Sequence, residues 1–313
     1  MIIVNWNAGE QLRECLQSIV AAEMTGIVLP RVVVVDNDST DGSLSGLEDI
    51  ELPLEIIRNQ ENRGFGAACN QGAQGSRADY LLFLNPDVRL STNSLSVPLE
   101  FMERPENGRV GICGIQLIDD TGKVARTCAR FPTPGRFIAK ACGLSQLLPR
   151  VFPSHFMIEW DHGETRVVDQ VMGAFFLVRR SLFEKLGGFD ERFFVYFEDL
   201  DFSLRAHDIG WESVYLASSR AFHRGCGTSD RIPATRLFYS LRSRIQYARK
   251  HFSFGGTVLV TLATLFIEPV ARIFLAVLYG SKQELHDTLR AFILLWRWLA
   301  GSPVKPAEEE QRK

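Results

Sequence analysis

The chain has 313 residues, 46% of them hydrophobic, with 35 basic against 37 acidic side chains and a net charge of −2. Charged residues at 23% and aromatics at 11% exclude a disordered or low-complexity chain. The missing basic excess removes the simplest case for a nucleic-acid partner, and six cysteines without a CxxC pair read as small buried hydrophobes in a reducing compartment.

The N-terminal residues Met1–Asn7 carry neither a basic n-region nor a long apolar core, so a cytoplasmic protein is expected. Ile2–Val4 opens the chain as a short apolar run, and Leu12, Cys15, Leu16, Ile19 and Val20 follow at helical spacing. Arg31–Val35 predicts a strand buried on both faces. Leu54–Ile57 predicts the next strand, 64–75 a helix, and Tyr80–Leu84 another buried strand. This alternation implies a mostly parallel sheet with helices on both faces, whose ligand lies beyond the carboxyl ends of the strands. The polar residues after Val4, Val35 and Leu84 are thus expected to share one crevice.

Further along, Val110–Leu117 and Lys123–Ala129 predict strands joined by a turn at 119–122. Phe131–Pro153 reads as an irregular loop, Val167–Val178 as strand, and Arg180–Leu186 as a short helix stopped by Gly187 and Gly188. Glu198–Ile209 predicts a helix and Ser213–Leu216 a last strand.

The C-terminal third differs. Between Arg220 and Lys250 stand eight Arg or Lys residues, Arg224 and Arg231 among them, against one acid, Asp230. The uncharged stretch Phe252–Ile267 is shorter than the roughly 20 residues a membrane span needs. Leu285, Leu289, Phe292, Trp296 and Leu299 form an apolar stripe beside Arg290, Arg297 and Trp298, a pattern suited to the membrane interface or to packing on the domain. The expected organisation is an α/β domain over 1–230, a basic and apolar helical region over 231–301, and a disordered tail over 302–313.

Several clusters carry chemistry. Asp36 leaves a buried strand directly into the crevice, where a carboxylate accepts hydrogen bonds from a base or ribose; Asp38 to Ser43 read rather as a cap and turn. Asn62–Gly72 begins like a dinucleotide fingerprint, but Cys69 stands where the third glycine belongs. Arg63 in that segment can neutralise phosphate. Asp87 in Asn85-Pro86-Asp87 follows a buried strand, a position suited to a hard divalent cation that also binds phosphate oxygens. His223, after the last strand, can complete such a site. Glu198, Asp199 and Asp201 follow an aromatic run and open a helix. Acids there suit the macrodipole, and a carboxylate against aromatic rings has a raised pKa useful for proton abstraction.

Together the segments VDNDSTDGS, NRGFGAACNQG, LFLNPDV, the block from Met172 to Arg205 and AFHR resemble glycosyltransferase family 2, most closely its rhamnosyltransferase-like branch. The resemblance covers about residues 1–250. It implies a GT-A fold, a mixed and mostly parallel sheet flanked by helices, and inverting sugar transfer from a nucleotide diphosphate. By the same resemblance Asp36 would meet the nucleotide base with Asn5 and Asn7 in the same pocket. Arg63, Gly64 and Asn70 would line the donor, and Gly173 and Ala174 would lie close to the transferred sugar or acceptor. Asn85 replaces the first aspartate of the family's metal motif, which leaves Asp87 with His223 to hold Mg²⁺ or Mn²⁺. Glu198 and Asp199 correspond to the acidic pair that supplies the base, with Asp199 preferred.

On the acceptor side, Asp201, Arg242, Arg244 and Lys250 are the residues expected to meet a pyrophosphate. The expected substrates are dTDP-rhamnose or a similar donor and a glycan, free or polyprenyl-diphosphate-linked, at the inner face of the cell membrane, with no nucleic acid. A nucleotide-sugar oxidoreductase on a Rossmann fold and a non-catalytic sugar-nucleotide-binding scaffold are the competing readings. Broken glycine spacing weighs against the former.

Overall fold

The computed structural model describes residues 1–223, 225, 232–302 and 304. Arg224, Cys226, Arg231 and most of the tail lie outside the described residues. The first elements are β1 (Ile2–Asn5), α1 (Glu10–Val20), β2 (Val32–Asp36), β3 (Leu54–Arg58), α2 (Phe65–Ala73), β4 (Tyr80–Leu84), β5 (Val88–Leu90) and α3 (Ser96–Glu103). Then follow β6 (Val110–Ile118), β7 (Cys128–Ala129), α4 (Pro134–Ala141), α5 (Leu144–Leu147), β8 (Arg166–Val168), β9 (Gln170–Val171), β10 (Phe175–Arg179) and α6 (Arg180–Lys185). The chain ends with α7 (Glu198–Asp208), β11 (Glu212–His223), α8 (Pro233–His251), α9 (Phe254–Leu262), α10 (Glu268–Leu278) and α11 (Lys282–Leu299).

These elements divide into two units. The first takes Met1–Phe131, Phe156–Phe194 and the chain from Glu198 through β11. Its sheet runs β3-β2-β1-β4-β10-β6-β11-β5, with β8 added to β11. Strands β3, β2, β1 and β4 are parallel, as are β6 and β11, whereas β10 runs antiparallel between β4 and β6. Alternate residues of each strand feed opposite faces. Ile3 and Val34 join Leu12 and Leu16 of α1 on one side, and Ile2, Val33 and Phe83 join Phe176 and Phe202 on the other. A Cβ on Gly72 would come within 2.6 Å of Ile2 Cγ2. The small residues of α2 therefore serve a close approach of helix to sheet.

The last strand is far longer than Ser213–Leu216. The pairing of β11 with β6 slips between Leu216 and Arg220, and the polar Ser218-Ser219 there hides the continuation from any apolar pattern. The extended end of β11 pairs antiparallel with β5, a strand of three residues that periodicity does not reveal. Of Lys123–Ala129 only β7 and a single Ile118–Val124 bridge are strand, and Val167–Val178 breaks into β8, β9 and β10.

The second unit holds Pro132–His155, Val195–Phe197 and the helices from α8 onward. Residues 131–153 are not an irregular loop but carry α4 and α5. Thr133 caps α4 by accepting the Arg136 N–H at 3.3 Å, Pro134 starts it, and Gly143 takes φ +75° after it. Those capping residues are what make the segment look loop-like in sequence. Phe137 packs among His155, Phe197, Tyr247 and Phe252 with centroids 5.7–6.2 Å apart. Helices α9 and α10 join through a π-helical turn, Ala263–Ile267, into one helix, Phe254–Leu278. That turn relieves the clash Pro269 would impose on the carbonyl four residues earlier. At 25 residues this helix is long and apolar enough to cross a membrane by length and composition, unlike the shorter stretch read from charge alone.

Candidate active site

The parallel strands β1, β2 and β4 end side by side, with Asn5 opposite Asp36 and Ile3 opposite Leu84. Phe175 at the start of β10 sits opposite Leu84, so the residues before it reach the same sheet edge. This edge collects the polar segments that the strand pattern places in one crevice.

At the first corner Asn5 is wholly buried and its Nδ2 donates to Asp36 Oδ1 at 2.7 Å and to the hydroxyls of Ser39 and Ser43. Asp36 Oδ2 accepts the Ser39 N–H at 3.2 Å, and Asn7 Oδ1 accepts the Thr40 N–H at 2.8 Å. Asn5, Asn7 and Asp36 are therefore gathered in one network that pins the loop after β2. Beyond it runs an amide chain that the sequence does not single out: Gln71 donates to Asn59, Asn59 to Asn37, and Asn37 to the Gly64 carbonyl, at 2.9–3.1 Å. Of the three, Asn37 stands inside the acidic cluster, between Asp36 and Asp38.

Gly64 is required by geometry. Its φ is +87°, and a Cβ would meet the Phe194 carbonyl oxygen at 2.4 Å. Arg63 beside it is exposed. Asn70 faces the turn at Phe189. Its amide brackets Phe189, donating to the carbonyl and accepting the N–H, both at 2.8 Å, and it also donates to Glu191. That use as a brace corrects the expectation that Asn70 lines the donor.

The second corner is the turn after β4. Asn85 N–H donates to Ala174 O at 3.0 Å, and the β5–β11 ladder sets His223 opposite Val88. His223 Nε2 thus lies 3.3 Å from Asp87 Oδ2, with both side chains largely buried. Two ligands at about 2.1 Å and right angles on one octahedral cation stand about 3.0 Å apart. The carboxylate and imidazole therefore fit a divalent ion, with no rearrangement beyond a few tenths of an ångström. Among the described residues no third His, Cys, Asp or Glu joins them, so an ion held here would take its other ligands from the substrate and water.

Opposite this turn stands α7. Asp199 Oδ2 accepts the Gly173 N–H at 2.8 Å, and Oδ1 accepts the Leu200 N–H at 2.8 Å. Gly173 and Ala174 are thereby the backbone link between Asp199 and Asn85. Burial pushes the Asp199 carboxyl above the usual range, while the bonds from Gly173, Leu200 and the side chain of Gln170 oppose that rise. Glu198 is 5% exposed and its Oε2 has no hydrogen-bond partner. Burial first, and then the charge of Asp199, push Glu198 well above an ordinary glutamate. Asp199 is half-buried as a residue, whereas Glu198 is buried. Gln170, buried within a strand, is a further site residue; with Asp169 it is one of two polar side chains in the otherwise apolar run 167–178, and that is its only signal.

Asp201 is wholly buried and bonds Arg205 Nε at 2.8 Å, one helical turn on, so it locks α7 rather than meeting an acceptor. Arg244, in the second unit, is 2% exposed and paired with Glu268 inside the helix bundle, which removes it from the pyrophosphate set. Arg242 and Lys250 are half-buried on α8.

Comparison with known proteins agrees with this geometry. The family model for glycosyl transferase family 2 matches residues 1–187. The N-acetylglucosaminyl-diphospho-decaprenol L-rhamnosyltransferase of Mycobacterium tuberculosis is 29% identical over 249 residues, covering 76% of this chain and 79% of its own. Rhamnosyltransferase WbbL of Escherichia coli is 30% identical over 177 residues, covering 55% of this chain and 62% of its own. In structure, a mannosyltransferase from Pyrobaculum calidifontis in complex with GDP-Man and Mn²⁺ aligns over 98% of this chain and 76% of its own, with TM-score 0.52 at 16% identity. Staphylococcus aureus TarS 1–349 aligns over 97% of this chain and 92% of its own, with TM-score 0.51 at 15% identity. The strand edge with its acidic pair, the family match and the shared GT-A fold converge: the chain belongs to glycosyl transferase family 2 and is a glycosyltransferase.

Proposed function

We propose that the enzyme transfers a sugar, with inversion, from a nucleoside diphosphate donor to a hydroxyl of a lipid-diphosphate-linked glycan, with dTDP-rhamnose as the favoured donor. The observation that carries this reading is the common sheet edge of Asp199 and the Asp87–His223 pair, joined through Gly173, Ala174 and Asn85. Asn5, Asn7 and Asp36 form the wall against which the nucleoside is held. The names of the two rhamnosyltransferase relatives support the sugar, and the first of them supports a lipid diphosphate as acceptor carrier.

Asp199 is the base. Three donors orient its carboxylate and favour its charged form, while burial raises its proton affinity. Burial and the charge of Asp199 raise the pKa of Glu198 beside it, which favours its neutral form. The acceptor hydroxyl gives its proton to Asp199 as its oxygen bonds to the anomeric carbon. On the opposite face the bond from that carbon to the diphosphate oxygen breaks, and the nucleoside diphosphate leaves with the electron pair. A single displacement of this kind inverts the centre. Mg²⁺ or Mn²⁺ held by Asp87 and His223 would neutralise charge growing on the departing diphosphate.

We place the reaction at the inner face of the cell membrane. The long helix Phe254–Leu278 exposes apolar side chains along its whole length, Leu259 at 56%, Phe266 at 56%, Val270 at 67% and Phe274 at 65% among them. The test is transfer by purified enzyme with Mn²⁺, a panel of nucleotide sugars and a lipid-diphosphate-linked N-acetylglucosamine. Rhamnosylation of the acceptor is the expected result, and no turnover with any donor would refute the proposal.

A further inference from the structure

Trp298, near the end of α11, is flanked by two guanidinium groups of α8. Arg242 Cζ lies 5.5 Å and Arg249 Cζ 5.6 Å from its ring. The two arginines are seven residues apart, two helical turns, and so share one face of α8. Among the described residues neither has a carboxylate partner, and Arg242 Nε is buried without any hydrogen bond. Two other arginines of this bundle, Arg244 and Arg272, both meet Glu268. Arg249 also lines an open groove of about 240 Å³ with Thr257, Val258, Thr261 and Leu262 of the long helix. The groove floor is largely aliphatic, and it continues into the exposed stripe of Leu259 and Phe266. Phe266 in turn meets Trp296 edge-on at 5.7 Å.

We propose that this place is a seat for one isoprenoid lipid diphosphate: Arg242 and Arg249 hold the anionic head against Trp298, and the groove between α8 and α9 takes the start of the hydrocarbon chain. Two cations without anions beside a groove with an aliphatic wall are complementary to an anionic amphiphile and to neither half of it alone. Guanidinium forks suit phosphate oxygens in particular. The assignment rests on the lipid-linked acceptor proposed above and names where its carrier binds. It also replaces Arg244, whose charge is already matched by Glu268.

The experiment is calorimetric titration of the full-length protein with geranylgeranyl diphosphate, compared with inorganic pyrophosphate and with phosphatidylglycerol vesicles. The isoprenyl diphosphate is expected to bind at least a hundredfold more tightly than pyrophosphate. Arg242→Gln and Arg249→Gln are each expected to weaken it about tenfold. Leu262→Asn, which leaves both arginines in place and adds no charge beside them, is expected to weaken the isoprenyl compound while leaving pyrophosphate binding unaltered. A retained thermal shift with dTDP shows that each variant is folded. Equal affinity for the two diphosphates, or wild-type affinity in the arginine variants, overturns the proposal. So does an equal loss of vesicle binding and of isoprenyl diphosphate binding, which would make the arginines contacts for bulk anionic lipid. No donor sugar enters the titration, so its outcome is separate from that of the transfer assay. Intact binding without transfer would fault the reaction and not the seat.

Discussion

The Gly173 N–H donates to Asp199 Oδ2 at 2.8 Å. A Cβ placed on Gly173 would lie 3.4 Å from that same oxygen, so the chain passes the carboxylate with only backbone between. Asp199 is thereby fixed in orientation. Asp199→Asn keeps the size and loses the basicity, and kcat is expected to fall by about 10²–10⁴ with nucleotide binding retained. Glu198→Gln, a change in a carboxyl whose neutral form burial already favours, is expected to cost far less. Because Asp199 must be deprotonated to act, kcat/KM rises with pH along an acidic limb displaced above the usual carboxylate range. Equal kcat losses for the two variants would assign the base wrongly.

Asp87 and His223 come from a turn and a strand end 136 positions apart, and the short β5–β11 ladder alone brings them together. If they hold a divalent ion under a diphosphate, Mn²⁺ raises the thermal shift produced by dTDP in the wild type, since a ligand stabilises in step with its affinity. Asp87→Ala is expected to abolish the Mn²⁺ increment, and His223→Ala to reduce it about tenfold in apparent metal affinity. An undiminished increment in Asp87→Ala would place the ion elsewhere.

Much of this arrangement was legible in sequence. The runs Arg31–Val35 and Tyr80–Leu84 announce strands buried on both faces because β-branched and aliphatic residues fill both sides, and the polar residues just after them are the site. What escapes the sequence depends on contacts distant along the chain. Asn70 looks like a donor ligand until Phe189 is found beside it, and Arg244 looks like a phosphate ligand until Glu268 is found 24 residues on. The amide chain through Asn37, Asn59 and Gln71 has no local pattern at all. Segment 131–153 misleads for the opposite reason, since helices of eight and four residues are mostly caps, and caps are built from turn residues.

Glu268 is 3% exposed and accepts from both Arg244 and Arg272. Burial raises its pKa, and the two arginines outweigh burial and hold it below the ordinary glutamate value. Removing the carboxylate leaves a buried guanidinium uncompensated. Glu268→Gln is expected to cost about 3–5 kcal/mol of stability, and Glu268→Leu combined with Arg244→Met to restore most of it. Chemical denaturation of the three proteins measures this, and a mild single variant would show that the pair is compensated by water.

Two buried histidines set an acid limit. His155 is pushed down to about 2, by burial first and then by the charges of Lys140, Arg244 and Arg136, and His162 is lowered by burial. Both ionise near 6.5 once unfolded. Below pH 6.5 the unfolded chain binds protons that the folded chain refuses, so stability falls by at most about 1.4 kcal/mol per pH unit for each histidine. Above pH 6.5 neither contributes a slope. His155→Gln is expected to flatten the fall of stability between pH 6.5 and 4.5 and to leave its pH dependence at pH 7–9 unaltered. An unaltered acid slope would show that His155 takes up its proton in the folded protein.

The helix Phe254–Leu278 has the length of a membrane span, but Glu268 sits at its middle with two cations bound to it. Carrying that cluster through a hydrocarbon core is costly, whereas lying in the interface leaves the ion pairs inside the bundle and the stripe of Leu259, Phe266, Val270 and Phe274 toward lipid. On the proposed inner-face placement, an in-plane helix would leave the chain on both sides of it in the cytoplasm. A C-terminal tag is then accessible to protease in inverted membrane vesicles, and Phe266→Asp with Phe274→Asp releases the protein to the soluble fraction without unfolding it. A tag protected in inverted vesicles and exposed in spheroplasts would mean that the helix crosses, and the buried Glu268 cluster would then have to open on insertion.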